Sequence, residues 1–247
     1  MILVMGGTTE SLEIADVLEG IKVEFILSVV SDYGKVLANQ HHGRVIARAM
    51  DEAALEEYIK VEHINLVIDA THPFAKVASQ NAIEATGRLN IKYIRFERPN
   101  NYESDQNIRL FNTVEDACNG LRKTEGTIYL TTGSKTVEDY VNALGIERIH
   151  ARVLPVPSVV SKLTDVGLRA DQIDGMRGPF SEQLNVQMLK HADASALVTK
   201  ESGLQGGINE KIAACQELNI PCFIIKRPQL DYPHMVSSVS ELMKELG

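Results

Sequence analysis

The chain alternates short apolar runs with longer segments in which apolar residues recur at helical spacing. The runs are rich in β-branched residues and continuous, which is typical of parallel strands covered on both faces. They lie at residues 2–5, 23–29, 44–47, 66–70, 93–96, 127–131, 149–153, 196–200 and 222–225. The helical segments lie at residues 11–18, 52–60, 76–88, 114–121, 181–191 and 210–218. This pattern predicts an α/β protein with mainly parallel sheets.

A polar stretch near the middle of the chain interrupts the alternation. Residues 97–107 read ERPNNYESDQN, and about nine strands are many for one open sheet. We therefore expect two Rossmann-like domains, residues 1–99 and 100–247, with a cleft between them. The C-terminal stretch VSSVSELMKELG predicts a last amphipathic helix, which could pack on either domain.

Composition and charge exclude several classes of protein. The formal net charge is -8 and no run is rich in Lys or Arg, which argues against a nucleic-acid binder. The apolar runs are far shorter than the roughly 20 residues that span a bilayer, and no secretory signal is recognisable, so we expect a cytoplasmic protein without membrane association. Cys118, Cys215 and Cys222 lack the paired spacing of zinc ligands, so no metal site is expected.

Ligands of doubly wound folds bind where parallel strands end, so the residues after each predicted strand are the candidates. After the first strand, Gly6 and Gly7 let the backbone approach a ligand closely, and the following helix start offers amides to a pyrophosphate. The third glycine of the dinucleotide fingerprint is missing, and a plain strand-to-helix turn is the alternative. The second strand passes from Ser28 to Asp32 without the early acidic residue that marks NAD, which leaves NADPH and NADH open.

Polar turns also follow the predicted strands of the second half. TTGSK at residues 131–135 lacks the first glycine of a P-loop, so it predicts either a ligand turn or a turn capped by Ser134. Lys200 and Glu201 end a buried strand, where charges are costly without a partner. We interpret that turn as a ligand site, with a structural loop as the alternative.

The fourth strand runs into DATHPF, in which Pro73 suits the first turn of the next helix. His72 is either a proton donor or a hydrogen-bonded structural histidine. No tyrosine has a lysine four residues later, which excludes the Tyr-Lys pair of short-chain dehydrogenases.

Eight motifs in order resemble the precorrin-6A reductase family of cobalamin biosynthesis. They are ILVMGGTTES, DATHPFA, YIRFERP, LTTGSK, ARVLPVPSVV, GMRGPFSEQLN, LVTKESG and GGINEKIAACQELNIPCFIIKRP. The resemblance implies two α/β domains and an NADPH or NADH that reduces a double bond of the precorrin-6A or cobalt-precorrin-6A macrocycle to the 6B form. It implies an anionic tetrapyrrole as the substrate, and neighbouring enzymes of the corrin pathway are candidate partners.

The resemblance also assigns roles to the candidate residues. The cofactor-binding candidates are Gly6, Gly7, Thr8, Thr9, Glu10, Ser28, Thr71, His72, Pro73 and Phe74, with His72 as the catalytic candidate. The substrate-binding candidates are Thr132, Gly133, Ser134, Lys135, Arg177, Gly178, Pro179, Phe180, Lys200, Glu201, Ser202, Gly203, Gly207 and Lys211. A basic cleft suited to a carboxylate-rich substrate is expected from Arg95, Arg98, Lys135, Arg177, Lys200, Lys211 and Arg227.

One departure concerns the choice of cofactor. Members of the family often carry an arginine in a GGT-x-E-x-R pattern, where this chain has Ser11 and Leu12 after Glu10. The missing cation makes NADH a serious candidate. Two other hypotheses remain: a non-catalytic two-lobed cytoplasmic sensor of a nucleotide or small anion, and a different NAD(P)-dependent enzyme.

Overall fold

The computed structural model of the protein describes residues 1–30, 34, 43–99, 102, 106–203 and 206–246. The chain divides into two compact units, unit 1 with Met1–Pro99 and Pro228–Gly247, and unit 2 with Asn100–Arg227. Each unit contains a parallel sheet with interleaved helices, which confirms the predicted α/β class with two Rossmann-like units. Residues 100, 101 and 103–105 of the interrupting polar stretch, and Ser31 and Asp32 after the second strand, lie outside the described residues.

Unit 1 is built on a six-stranded sheet with the strand order β12-β5-β4-β1-β2-β3. Its strands are β1 Ile2–Met5, β2 Phe25–Val29, β3 Arg44–Ala47, β4 Leu66–Asp69, β5 Lys92–Phe96 and β12 Met235–Val236. Its helices are α1 Thr9–Gly20, α2 Glu52–Val61, α3 Lys76–Leu89 and α9 Val239–Leu246. Leu3, Val4, Ile26 and Leu27 are completely buried, so both faces of the inner strands are covered. This burial explains the continuous apolar runs.

The chain returns to unit 1 after Arg227, which differs from the range of 100–247 expected for the second domain. Strand β12 pairs in parallel with β5, with Val236 opposite Phe96. Val236 and Leu242 are buried in the same core as Ile94 and Phe96. The two-residue strand β12 is too short to produce an apolar run, so the sequence pattern showed only the helix after it.

Unit 2 has a six-stranded parallel sheet with the order β6-β11-β10-β7-β8-β9. Its strands are β6 Ile108–Phe111, β7 Thr127–Leu130, β8 Ile149–Val153, β9 Ile173–Gly175, β10 Ala194–Lys200 and β11 Cys222–Ile225. Its helices are α4 Val114–Leu121, α5 Val137–Leu144, α6 Pro157–Asp165, α7 Glu182–His191 and α8 Ile208–Glu217. Short 3-10 helices lie at Ser134–Thr136, Ile146–Arg148 and Ala170–Gln172.

In each sheet the strand order reverses between two inner strands, and ligands of such folds bind at that point. In unit 1 the reversal lies between β1 and β4, and in unit 2 between β7 and β10. The glycine turn and the DATHPF turn follow β1 and β4, whereas TTGSK and KESG end or follow β7 and β10. Within the described ranges, no helix is long and apolar enough to cross a membrane.

Candidate cofactor and substrate sites

The glycine turn of unit 1 connects three adjacent strands at the carboxyl edge of the sheet. The amide of Gly6 donates to the carbonyl of Ser28 at 2.7 Å, and Ser28 itself is 7% exposed. The hydroxyl of Thr8 donates to the carbonyl of Ala70 at 2.7 Å. The turn after β1 is therefore bonded to β2 and to the turn after β4, and Ser28 acts through its backbone carbonyl.

A capping box fixes the start of α1. Thr8 is the N-cap, and its hydroxyl oxygen accepts from the amide of Ser11 at 3.2 Å. The Ser11 hydroxyl accepts from the amides of Gly7 and Thr8 at 3.2 and 3.3 Å and donates to the carbonyl of Thr8 at 2.7 Å. Two amides that could face a phosphate are thus already used inside the turn. The amides of Thr9 and Glu10, at the first two helical positions, are the ones that α-helical geometry leaves without a partner in the helix.

The two glycines have different physical roles. A Cβ on Gly6 would lie 2.7 Å from the Ser11 hydroxyl and 2.8 Å from Leu27 Cδ1, so Gly6 permits close packing of strand and helix. Gly7 has a φ of +108°, and a Cβ there would meet no heavy atom within 4 Å. Gly7 is exposed and borders open space, as a cradle for a ligand requires.

The turn after β4 presents His72 at the surface. His72 is exposed, and its Nδ1 accepts the amide of Phe74 at 3.2 Å. The two rings lie 5.8 Å apart at 48°. Since Nδ1 accepts, the proton of the neutral ring is carried by Nε2. Thr71 is buried beneath the turn, while Pro73 and Phe74 are half-buried.

A buried ionic network that the sequence analysis did not predict holds this turn from below. Asp69 is completely buried and accepts four hydrogen bonds. The donors are the amide and hydroxyl of Thr71 at 3.0 and 2.6 Å, the Tyr93 hydroxyl at 2.7 Å and Arg95 Nη1 at 3.0 Å. Arg95 also binds Glu97, with its Nη2 2.7 Å from Glu97 Oε2. The signal in the sequence was a charged residue at the end of β4, Asp69, and another next to the last residue of β5, Arg95.

The network changes the expected role of Arg95. Its side chain is 1% exposed and lies between two carboxylates, so it does not contribute to a basic cleft. Burial disfavours its charge, but Asp69 and Glu97 outweigh this and raise its pKa above the ordinary value. Arg98 is likewise ion-paired with Glu13. The expectation that Arg95 binds a substrate carboxylate is therefore wrong, whereas for the partly exposed Arg98 it stays a prediction.

In unit 2 the turns after β7 and β10 lie beside each other. The amide and hydroxyl of Thr131 both donate to the carbonyl of Val198, at 2.8 and 2.9 Å. Thr132 is buried with its hydroxyl 3.0 Å from that of Thr136, and Gly133 is exposed with a φ of +78°. Lys135 is exposed and Ser134 is half-buried. Burial and the nearby charge of Lys135 lower the pKa of Lys200.

Glu201 has partners of its own. One carboxylate oxygen accepts from the Tyr102 hydroxyl at 2.7 Å, and the other accepts from the Arg227 amide at 2.9 Å. Arg227 Nε lies 3.8 Å from the same carboxylate. Glu201 and Arg227 therefore stabilise the turn, in which Ser202 is half-buried and Gly203 is buried. The place of Arg227 in a basic cleft stays a prediction, with its charge now seen beside Glu201.

The remaining predicted substrate residues fall into two groups. Arg177, Gly178 and Pro179 are exposed after β9, whereas the half-buried Phe180 ring lies 4.1 Å from the guanidinium carbon of Arg152. Gly207 is the N-cap of α8, and Lys211, one turn into α8, is 7% exposed. Arg152, Asn185 and Asp174 were not predicted, although Arg152 is the only strongly basic residue within the apolar strand IHARV.

Asp174 belongs to a second polar cluster on β7, β8 and β9. It accepts from the Tyr129 hydroxyl and lies 3.1 Å from His150 Nε2. Burial opposes its charge, but these two partners outweigh burial and lower its pKa. Among the residues that the structure describes, no group of three or more His, Cys, Asp or Glu side chains could hold a metal ion.

The fold and these turns define a doubly wound α/β protein with candidate ligand sites at the carboxyl edges of two parallel sheets. The family model for precorrin-6x reductase CbiJ/CobK matches residues 1–247. The chain belongs to this family.

Individual relatives match over similar lengths. The chain is 36% identical to the cobalt-precorrin-6A reductase of Methanocaldococcus jannaschii, with coverage of 100% of this chain and 98% of the relative. It is 31% identical to the cobalt-precorrin-6A reductase of Salmonella typhimurium, with coverage of 92% and 87%. A solved structure of the CobK precorrin-6A reductase aligns with a TM-score of 0.83 at 24% identity, covering 99% of this chain and 95% of that chain. That alignment supports the fold.

Proposed function

We propose that this chain reduces a carbon–carbon double bond of cobalt-precorrin-6A by hydride transfer from NADPH or NADH. The full-length match to the precorrin-6x reductase family carries this proposal. A reductase of this family is an oxidoreductase acting on a CH–CH bond with a nicotinamide cofactor. The cobalt-containing substrate is favoured because five relatives with identities of 30–36% are cobalt-precorrin-6A reductases. A precorrin-6A reductase from Rhodobacter capsulatus is 26% identical.

The residues of the glycine turn fit a dinucleotide. Open space above Gly7 gives room for a pyrophosphate, and the helix start at Thr9 and Glu10 offers amides and the positive end of the helix dipole. The half-buried Glu10 carboxylate suits a ribose hydroxyl. No described contact of this turn distinguishes NADPH from NADH, so both are tested below.

In this proposal the cofactor supplies the hydride, and the protein positions the reactants. The bond from Thr8 to Ala70 fixes the turn that carries Thr71 and Pro73 relative to the glycine turn. The Asp69 network makes this turn rigid from below. His72 is the candidate proton donor through Nε2. Orientation alone can contribute about 7–11 kcal/mol to a rate enhancement, so the side-chain acid need not be essential.

The test is a side-by-side fluorescence titration of the purified protein with NADPH and NADH. Gly7→Val should abolish binding of the preferred cofactor, because the side chain would enter the open space above the turn. Gly145→Val is the matched control, because Gly145 has a φ of +86° and also has no heavy atom within 4 Å of a Cβ. Loss of binding in both variants, or in neither, would overturn the cradle.

Turnover separates the reductase from a non-catalytic sensor. Oxidation of the reduced cofactor should depend on added cobalt-precorrin-6A, whereas a sensor would bind the cofactor without oxidising it.

We also propose that the protein is located in the cytoplasm. The three cysteines, Cys118, Cys215 and Cys222, are free and buried, which supports a reducing compartment.

A further inference from the structure

Unit 2 contains a buried arginine that forms no ion pair with any carboxylate of the described residues. Arg152 is the fourth residue of β8, which is buried along its whole length, and it is 6% exposed. Burying an unpaired ion is costly, and proteins normally pair such charges or bind a ligand to them. Arginine stays protonated under these conditions, so the charge persists.

The contacts of Arg152 are with neutral groups. Its Nη1 donates to Asn185 Oδ1 at 2.8 Å and lies 3.5 Å from Met188 Sδ. Its guanidinium carbon lies 4.1 Å from the centre of the Phe180 ring and 5.8 Å from that of Tyr129. No described carboxylate lies within ion-pair distance of it, although the more distant charge of Asp174 and a hydrogen bond with Tyr129 favour its charged form. The guanidinium is thus oriented by an aromatic ring and an amide, while no ion pair with a described carboxylate holds its charge.

The carboxylate beside it in the sheet is engaged elsewhere. Asp174 pairs with Arg152 in the register of β8 and β9. Its side chain instead accepts from the Tyr129 hydroxyl and contacts His150. An internal counter-ion was therefore available one strand away, and the fold directs it to other partners.

A second buried cation lies on the same face of the sheet. Lys211 is on α8, which packs against α7, the helix that carries Asn185 and Met188. Lys211 is 7% exposed, and its Nζ donates to the carbonyl of Gly206 at 2.6 Å. Burial and the charge of Arg152 lower the pKa of Lys211 to about 8. Two cations therefore share one buried region, and neither forms an ion pair with a described carboxylate.

We propose that Arg152 and Lys211 bind an oxyanion of the ligand inside unit 2, namely a carboxylate side chain of the tetrapyrrole. A carboxylate can accept two parallel hydrogen bonds from a guanidinium, and Lys211 adds a third donor. Phe180 and Asn185 hold the guanidinium in place, so they are positioning residues. The identity of the carboxylate rests on the proposed function. A phosphate of the dinucleotide offers the same chemistry, and the experiment separates the two sources.

The test measures equilibrium binding rather than turnover. The full-length protein is titrated with uroporphyrin, a stable polycarboxylate tetrapyrrole, and separately with NADP⁺, each at low and high salt. We compare Arg152→Gln and Lys211→Gln with Arg122→Gln, which removes one positive charge from an exposed residue after α4. Thermal unfolding of each variant shows first that it is folded.

The proposal expects that Arg152→Gln weakens uroporphyrin binding at least about tenfold, because a buried charge-assisted contact is lost. Lys211→Gln should weaken it too, and Arg122→Gln should not. The loss should persist at high salt, since buried charges are screened little. NADP⁺ affinity should be unchanged in all three variants.

Two outcomes would overturn the assignment. Unchanged uroporphyrin binding in both Arg152→Gln and Lys211→Gln would show that no anion binds there. Loss of NADP⁺ binding alone would assign the site to a phosphate. If Arg152→Gln fails to fold, the uroporphyrin affinities of Lys211→Gln and Arg152→Lys test the proposal instead. Arg152→Lys should retain part of the wild-type affinity. Arg152-dependent uroporphyrin binding without reductase turnover would support the site and reject the proposed function.

Discussion

The two units place an arginine at the same position of a parallel strand and treat its charge in opposite ways. Arg95 and Arg152 are each the fourth residue of a five-residue strand, β5 and β8, and they are 1% and 6% exposed. Arg95 lies 3.0 Å from Asp69 and 2.7 Å from Glu97. Arg152 forms no ion pair with a described carboxylate, and burial lowers its pKa, whereas the pKa of Arg95 is raised.

The difference separates a structural ion from a candidate binding ion. Burial alone does not distinguish them, since both side chains are almost inaccessible. What distinguishes them is whether the fold provides the opposite charge. A paired guanidinium stabilises the turn above it. A buried guanidinium without an ion pair lowers the stability of the free protein, and an anion that binds to it offsets this cost.

The largest expected effect is the loss of stability on removing the paired arginine. Arg95→Met leaves Asp69 buried without its counter-ion, and breaking such a pair costs about 3–5 kcal/mol. The loss of stability in unit 1 is measured by urea unfolding, with hydrogen exchange of the β4 and β5 segments as the probe.

Arg88→Met serves as the control for this prediction. Arg88 is an exposed arginine of α3 that pairs with Glu52 and Glu56. Its loss should change the stability far less than the loss of Arg95, because exposed pairs contribute little. Equal effects of the two substitutions would contradict the structural role of Arg95.

The sequence sufficed to predict much of the fold because buried parallel strands have a strong apolar signal. Strands β1, β3, β8 and β11 begin and end where predicted. Strand β6 was missed because its pattern, IRLF, is half-exposed at the edge of the sheet. Strand β9 has only three residues, and α6 begins with Pro157, so neither has a long periodic pattern.

The candidate sites were predictable only where they are local in sequence. The glycine turn and the TTGSK turn are each a single segment of the sequence directly after a strand, so the predicted ends of the strands located them. Asp69 and Arg95, or Arg152 and Asn185, are far apart in the chain and meet only through strand order and helix packing. The same separation hid which cations are paired, so a basic cleft deduced from residue type included the buried Arg95 wrongly and did not foresee the partners of Arg98 and Arg227.

A smaller effect is expected from removing the unpaired arginine in the absence of ligand. Arg152→Met loses the hydrogen bond to Asn185, about 1.5–3 kcal/mol because the donor is charged, and a desolvated cation–π contact of about 2 kcal/mol. Removal of a desolvated charge offsets this, so the stability of unit 2 should stay within about 1 kcal/mol of the wild type. Hydrogen exchange of the β7 and β8 segments measures it. A loss as large as that of Arg95→Met would show that Arg152 is structural.

A pH dependence of stability should be confined to the unpaired site of unit 2. The groups acting on Lys211 are Arg152 on β8, Cys222 on β11 and Glu210 on its own helix, and burial is the main cause of its lowered pKa of about 8. The unfolded state binds this proton more tightly, because an unperturbed lysine has a pKa of about 10.4. The Lys211 contribution to the stability of unit 2 therefore increases as pH rises from about 8 towards 10.

Anion binding should change in the opposite direction, because only protonated Lys211 attracts an oxyanion. Between pH 7 and 8 the charged fraction of Lys211 falls by up to about twofold, and uroporphyrin affinity should fall by no more than that. Lys211→Arg removes the titration and should bind equally at both pH values. If the wild type and Lys211→Arg have the same pH dependence, the proton that controls binding is not on Lys211. If the affinity of the wild type rises with pH, Lys211 does not bind the anion as an ammonium group.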